Sequence, residues 1–148
     1  FIKVSLLKNG IPVETFDYGD EVTLCQIVRF RKTLTNFVIG YKIRSLQGID
    51  IVFGDTRLTN SIGEEYQENA VYLFSWRFTL RLCHGSYTVA SSMAHLPTPS
   101  GKDFEFIDVI PLATTFRVLP RKGGMIDGFT VWDNVFNSRQ LFTAPYTK

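Results

Sequence analysis

The chain has 148 residues, 45% of them hydrophobic and 20% charged, which fits one globular domain able to bury most of its apolar surface. A net charge of +2 is too small to attract nucleic acid through bulk electrostatics, so any basic site must be local. No apolar run approaches the roughly 20 residues that span a bilayer, and an aromatic-rich composition with frequent β-branched residues favours strands over helices.

The sequence opens FIKVSLLKNG, with no initiator Met and no charged n-region, and reads as a piece of a longer protein rather than a signal peptide. Residues 1–7 form the first expected strand, closed by the Asn9-Gly10 turn. A second follows Gly19-Asp20 over 21–30. The stretch NFVIGYKIRS is the third, with Phe37, Ile39, Tyr41 and Ile43 on one face. Leu46-Gln47-Gly48 turns tightly into a strand over 49–53, and the polar, aperiodic residues 55–69 read as a long crossing loop.

LFSWRFTLRL then places Phe74, Trp76, Phe78, Leu80 and Leu82 together on a core face. GSYTVASSMAH follows, and after the Pro/Gly loop LPTPSGKD comes FEFIDVIPLATTFRVLP, which Pro111 is expected to divide in two. Arg121-Lys122-Gly123-Gly124 reads as a joint before one more strand, MIDGFTVW. That strand either folds back on its own sheet or exchanges with a neighbouring copy, a low-cost route to a dimer.

About eight short strands with a long crossover predict an all-β fold, an immunoglobulin-like antiparallel sandwich. We expect one domain over 1–148, with the sandwich core in 1–120 and the hinge, final strand and tail in 121–148.

Recognisable reaction chemistry is lacking. His84 and His95 stand far apart without companions at metal-ligand spacing, so neither a zinc site nor another metal is expected. Leu96 stands where a phosphate loop would place its first Gly, Asp103 follows Lys102 instead of Ser or Thr, and no Gly-x-Ser-x-Gly elbow occurs. No catalytic residue, enzyme activity or cofactor is expected. Cys25 and Cys83 are compatible with a sandwich-spanning disulfide or with two reduced, half-buried thiols, the second being the expectation.

GSYTVASSMAH carries the main functional signal. Tyr87, Val89 and Met93 suit a core, whereas Ser86, Thr88, Ala90, Ser92 and Ala94 make an outward face with nothing large on it. Sandwich connectivity sets this strand between the one starting at Phe37 and the one ending at Val118. Val38, Gly40, Lys42 and Arg44 then face outward on one side, and Ala113, Thr115 and Arg117 on the other. Small hydroxyl residues flanked by Lys42, Arg44 and Arg117 leave room and directional donors for an oxygen-rich, even anionic ligand. An ordinary solvated sheet face is the other reading of the same pattern.

Two aromatics need separate readings. Tyr87, just after the turn at Gly85, suits a structural tyrosine that ties down the sheet corner. Trp132 points outward with Thr130 if Phe129 and Val131 face inward, as a platform for a sugar or as a dimer contact. The candidate ligand-binding set is Lys42, Arg44, Thr88, Ser92, Arg117 and Trp132.

In order and spacing, YGDEVTL, TNFVIGYKIRSLQGIDIVFGDT, FTLRLCHGSYTVASSMA, FRVLP and GMIDGFTVW resemble the C-terminal carbohydrate-binding domain of Wzt-type proteins, the ATP-binding subunits of ABC exporters for O-antigen polysaccharide. The resemblance implies a domain on the cytoplasmic side of the inner membrane, attached to a nucleotide-binding domain and working with the membrane subunits. It implies recognition of the finished polysaccharide through a modified non-reducing end, which couples chain completion to export. Anionic end groups would suit Lys42, Arg44 and Arg117, and homodimers formed by exchange of a C-terminal strand would suit the hinge at Gly123-Gly124. No nucleic acid partner is implied. The alternative is a structural module that dimerises or docks without a sugar ligand.

Overall fold

The computed structural model describes residues 1–59, 65–96, 104–124 and 126–130, together with Val135 and Ser138. The described residues form nine strands and no helix. In chain order these are β1 (Lys3–Lys8), β2 (Ile11–Pro12), β3 (Thr15–Phe16), β4 (Glu21–Arg29), β5 (Phe37–Ser45), β6 (Asp50–Asp55), β7 (Val71–Thr79), β8 (Gly85–His95) and β9 (Glu105–Val118). One sheet has the order β2-β1-β4-β7 and the other β3-β9-β8-β5-β6. All pairings are antiparallel except β3 with β9, so the second sheet is mixed.

The two-residue alternation decides which side of each strand is buried. Ile39, Tyr41 and Ile43 of β5, Tyr87, Val89 and Met93 of β8, and Phe116 and Val118 of β9 all point between the sheets. They meet Leu6, Val22, Leu24 and Val28 from the facing sheet, while Phe74, Trp76 and Phe78 of β7 close its side of the core. Aromatic rings pack at edge-on or stacked angles, as between Tyr41 and Trp76 at 5.4 Å and Tyr87 and Phe116 at 5.4 Å.

One polar bridge crosses this apolar layer. Gln26 is fully buried; its Nε2 donates to Ser91 Oγ at 3.0 Å and to the Gly40 carbonyl at 3.1 Å. Its Oε1 accepts the Trp76 indole N–H at 2.8 Å, so each polar atom of the amide is matched. At the opposite end of β8, Tyr87 Oη donates to the Cys83 carbonyl at 2.8 Å, the corner tie expected of this tyrosine. Burial, and after it the Cys83 thiol 3.4 Å from the hydroxyl, push the Tyr87 phenol up. Cys25 and Cys83 are both free thiols.

Several local features differ from the sequence expectations. Pro111 does not divide its run: β9 is one strand of 14 residues. The strand absorbs the proline in a register irregularity, where Val89 faces Thr114 but Ser91 faces Ile110. The very short β2 and β3 are too brief to show alternation and were not expected. The final strand expected over 125–132 lies partly outside the described residues. Within them, Thr130 bridges Leu82, and Cys83 N–H donates to the Phe129 carbonyl at 3.0 Å. Phe129, whose inward facing was the condition for an outward Trp132, is exposed.

Candidate functional site

The outward face of the five-stranded sheet can be read row by row from the register. Phe106, Ala94 and Val38 lie side by side; Val109, Ser92, Gly40 and Asp55 form the next row. Ala90, Lys42 and Phe53 follow, then Thr115, Thr88 and Arg44, and last Arg117 with Ser86. Small side chains on β8 and β5 keep the middle of this face low. At its Leu96 end they open a groove of about 230 Å³, floored by Val38, Gly40, Ser92 and Ala94.

Phe53 walls the groove on the β6 side, and Phe104 and Phe106 wall it on the β9 side. The walls stand three strand spacings apart, roughly 14 Å between strand axes. All three rings are strongly exposed, at 49% for Phe53, 49% for Phe104 and 59% for Phe106. Phe104 and Phe106 meet edge-on at 5.2 Å. Three large exposed aromatics around a floor of small residues make a recess with stackable faces rather than a plain solvated sheet.

A slip in β9 explains how Phe106 reaches this face. Ser92 pairs with Val109 and Met93 with Asp108, but Ala94 pairs with Phe106, so one residue is extra near Ile107. A one-residue slip reverses the facing of everything beyond it, which carries Phe106 to the outer surface beside Ala94.

Gly40 is required by close approach rather than by turn geometry. A Cβ there would stand 2.8 Å from both Asp55 Cβ and the Gly54 carbonyl oxygen. The absent side chain brings β6 against β5 and keeps the groove floor open.

Polar groups at the rim are arranged as charge pairs. Asp50 accepts from both Lys42 Nζ and Arg44 Nε. These contacts, Lys42 first, hold the Asp50 carboxyl below the usual aspartate range. Asp55 is almost fully buried beneath Arg57: its Oδ1 accepts the Arg57 backbone N–H at 2.9 Å and its Oδ2 accepts Arg57 Nε at 2.9 Å. The Asp55 carboxylate in turn raises the Arg57 guanidinium further.

Of the residues expected from sequence, Lys42 and Ser92 line the groove. Thr88 and Arg44 sit in a neighbouring row, Arg44 joined to Lys42 through Asp50. Arg117 faces Ser86, which lies roughly 20 Å along the strand from Ser92. Trp132 lies outside the described residues. Phe53, Asp50, Asp55, Arg57, Phe104 and Phe106 were not among the expected set. The repeated aromatic in FEF was the available sign for the last two, but strict alternation hides the slip that turns Phe106 outward. Among the described residues no group of three or more His, Cys, Asp or Glu side chains is placed to hold a metal ion.

A family model described as the Wzt C-terminal domain matches residues 1–130. The chain is also similar to a crystal structure of the C-terminal domain of wzt, with a TM-score of 0.79 at 15% identity, covering 93% of this chain and 82% of that one. At that identity the similarity is one of fold. No curated protein matches the sequence.

Proposed function

Because the chain belongs to the Wzt C-terminal domain family, we propose that it is a non-catalytic glycan-binding module that holds the modified non-reducing end of an O-antigen polysaccharide and couples chain completion to ABC-transporter export. The observation that supports this most is the groove, where a floor of small residues lies between Phe53 and the Phe104–Phe106 pair. A pyranose offers C–H faces for such rings and hydroxyls for Ser92, Lys42 and Asp50. Each hydroxyl contact replaces one with water and contributes only about 0.5–1.5 kcal/mol, so a single groove binds weakly. Two copies beside a transporter would raise the effective concentration, which gives the proposed homodimer a role. In this reading the domain works at the cytoplasmic side of the inner membrane with the nucleotide-binding and membrane subunits; no described helix is long and apolar enough to cross a membrane.

Calorimetric titration with O-polysaccharide from the source strain, intact and with its non-reducing terminal residue removed, tests the proposal. Binding of the intact chain that weakens at least about tenfold on trimming, or roughly 1.4 kcal/mol, is expected. Equal binding of both removes end recognition, and binding of neither removes the glycan reading.

A further inference from the structure

A second recess lies apart from the groove on the outer sheet face. Between the sheets, where residues 1–2 and the end of β4 approach β9, a crevice of about 750 Å³ opens. Its floor is Val28, Phe30 and Met93, all buried, and Ile2 and Ile107 stand exposed at its sides. Val28 turns inward from β4 by alternation, which sends Arg29 outward at the rim; Arg31 and Lys32 follow in the bend after Phe30. All three cations are exposed and line the crevice. Lys42, Arg44 and Arg57 are held by Asp50 and Asp55, but among the described residues none of Arg29, Arg31 and Lys32 has an ion-pair partner. Asp108, the carboxylate in the lining, is bound to the Phe1 amine at 2.6 Å. Leaving that amine uncounted, three cations still face one carboxylate.

We propose that this crevice is a second ligand site, which takes the hydrocarbon tail of an anionic amphiphile, a fatty acid or a lipid phosphate, and pairs its head with Arg29, Arg31 and Lys32. The floor side chains of Val28, Phe30 and Met93 carry no N–H or O–H group, so they suit methylenes and give a sugar hydroxyl nothing to bond. The volume falls within the roughly 300–1,000 Å³ of ordinary small-molecule sites. Guanidinium groups can grip a phosphate or carboxylate through paired N–H donors, and the ammonium of Lys32 adds a point charge. A concave seat with a recessed floor fits one chain entering it, whereas docking on a bilayer surface needs apolar side chains that protrude.

The test is titration of the ¹⁵N-labelled protein, below micelle formation, with decyl phosphate, decanoate, decanol and decyltrimethylammonium, read at the Val28, Met93 and Ile107 amides. At least one anion should bind about fivefold or more tightly than decanol and the cation, with affinity falling between roughly 20 and 300 mM salt. Binding of decyl phosphate alone names a lipid phosphate, and of decanoate alone a fatty acid. Lengthening the anion from octyl to decyl should tighten binding about threefold or more. Arg31→Gln with Lys32→Gln, both exposed, should weaken the anions about fivefold and decanol less than about twofold. Ile107→Ser should weaken decanol and the anions alike, by about threefold. Decanol or the cation binding as tightly as both anions, no dependence on chain length, or shifts confined to other amides would overturn the proposal. So would sedimentation with vesicles of phosphatidylcholine and phosphatidylglycerol when neither anion shifts the crevice amides, which would make this end a membrane-facing surface. Neither result bears on glycan binding in the groove.

Discussion

Gln26 on β4 holds the back of the groove floor from across the core: its amide nitrogen reaches the Gly40 carbonyl at 3.1 Å while Gly40 itself faces outward beside Ser92. The same nitrogen bonds Ser91, the neighbour of Ser92, so the two floor strands are fixed by one buried side chain. Gln26→Leu leaves the Trp76 indole N–H and the Ser91 hydroxyl without this partner. A loss of about 2–4 kcal/mol in denaturant unfolding is expected. Gln26→Leu with Ser91→Ala should recover part of it, since one orphaned group is removed. A loss under about 0.5 kcal/mol would show that the bridge is not a structural tie.

Gly40→Ala tests the close approach of β6. The new Cβ would lie 2.8 Å from the Gly54 carbonyl oxygen, which belongs to the backbone and cannot rotate away. Displacement of β6 at a cost of about 1–3 kcal/mol is expected, with glycan affinity falling as the Phe53 wall moves. A variant as stable as the parent would contradict that packing.

Phe106→Ala separates binding from folding. The ring is 59% exposed, so stability should change by less than about 0.5 kcal/mol. Glycan affinity should fall about fivefold, the equivalent of one lost stacking contact near 1 kcal/mol. Arg117→Ala, in the distant row, should change affinity less than about twofold. The reverse ranking in a titration would move the site along the sheet.

Asp50 supplies a pH test. Its carboxyl is held below its ordinary 3.8 by Lys42 and Arg44, so its ion pairs are complete above that value and lost as pH falls through the depressed one. Carboxyl-carbon NMR should give an Asp50 midpoint below 3.8, moving up in Arg44→Ala. A midpoint at or above 3.8 in the parent would contradict the paired arrangement.

Much of this architecture was legible because alternation is strict in the central strands. Val89 inward and Ser92 outward follow directly from period two, and so do Lys42 and Arg44 on the outer face. Irregular positions were not legible. The proline in β9 was absorbed by a register shift, and the slip near Ile107 reversed Phe106, changes of one or two residues that composition does not record. Asp55 and Arg57 fall in 55–69, which reads as a long crossing loop because it is polar and aperiodic. Their pairing depends on β6 ending beside Gly40, a tertiary fact. Asp50 escaped notice because its partners lie on another strand, brought together by the β5–β6 turn.

The most direct measurement is a crystal structure of the domain with an oligosaccharide from the non-reducing end of its O-polysaccharide. Density for a sugar ring above Ser92 and Gly40, between Phe53 and Phe106, is expected. A sugar seated on the four-stranded sheet, or a groove closed over by another part of the chain, would contradict it.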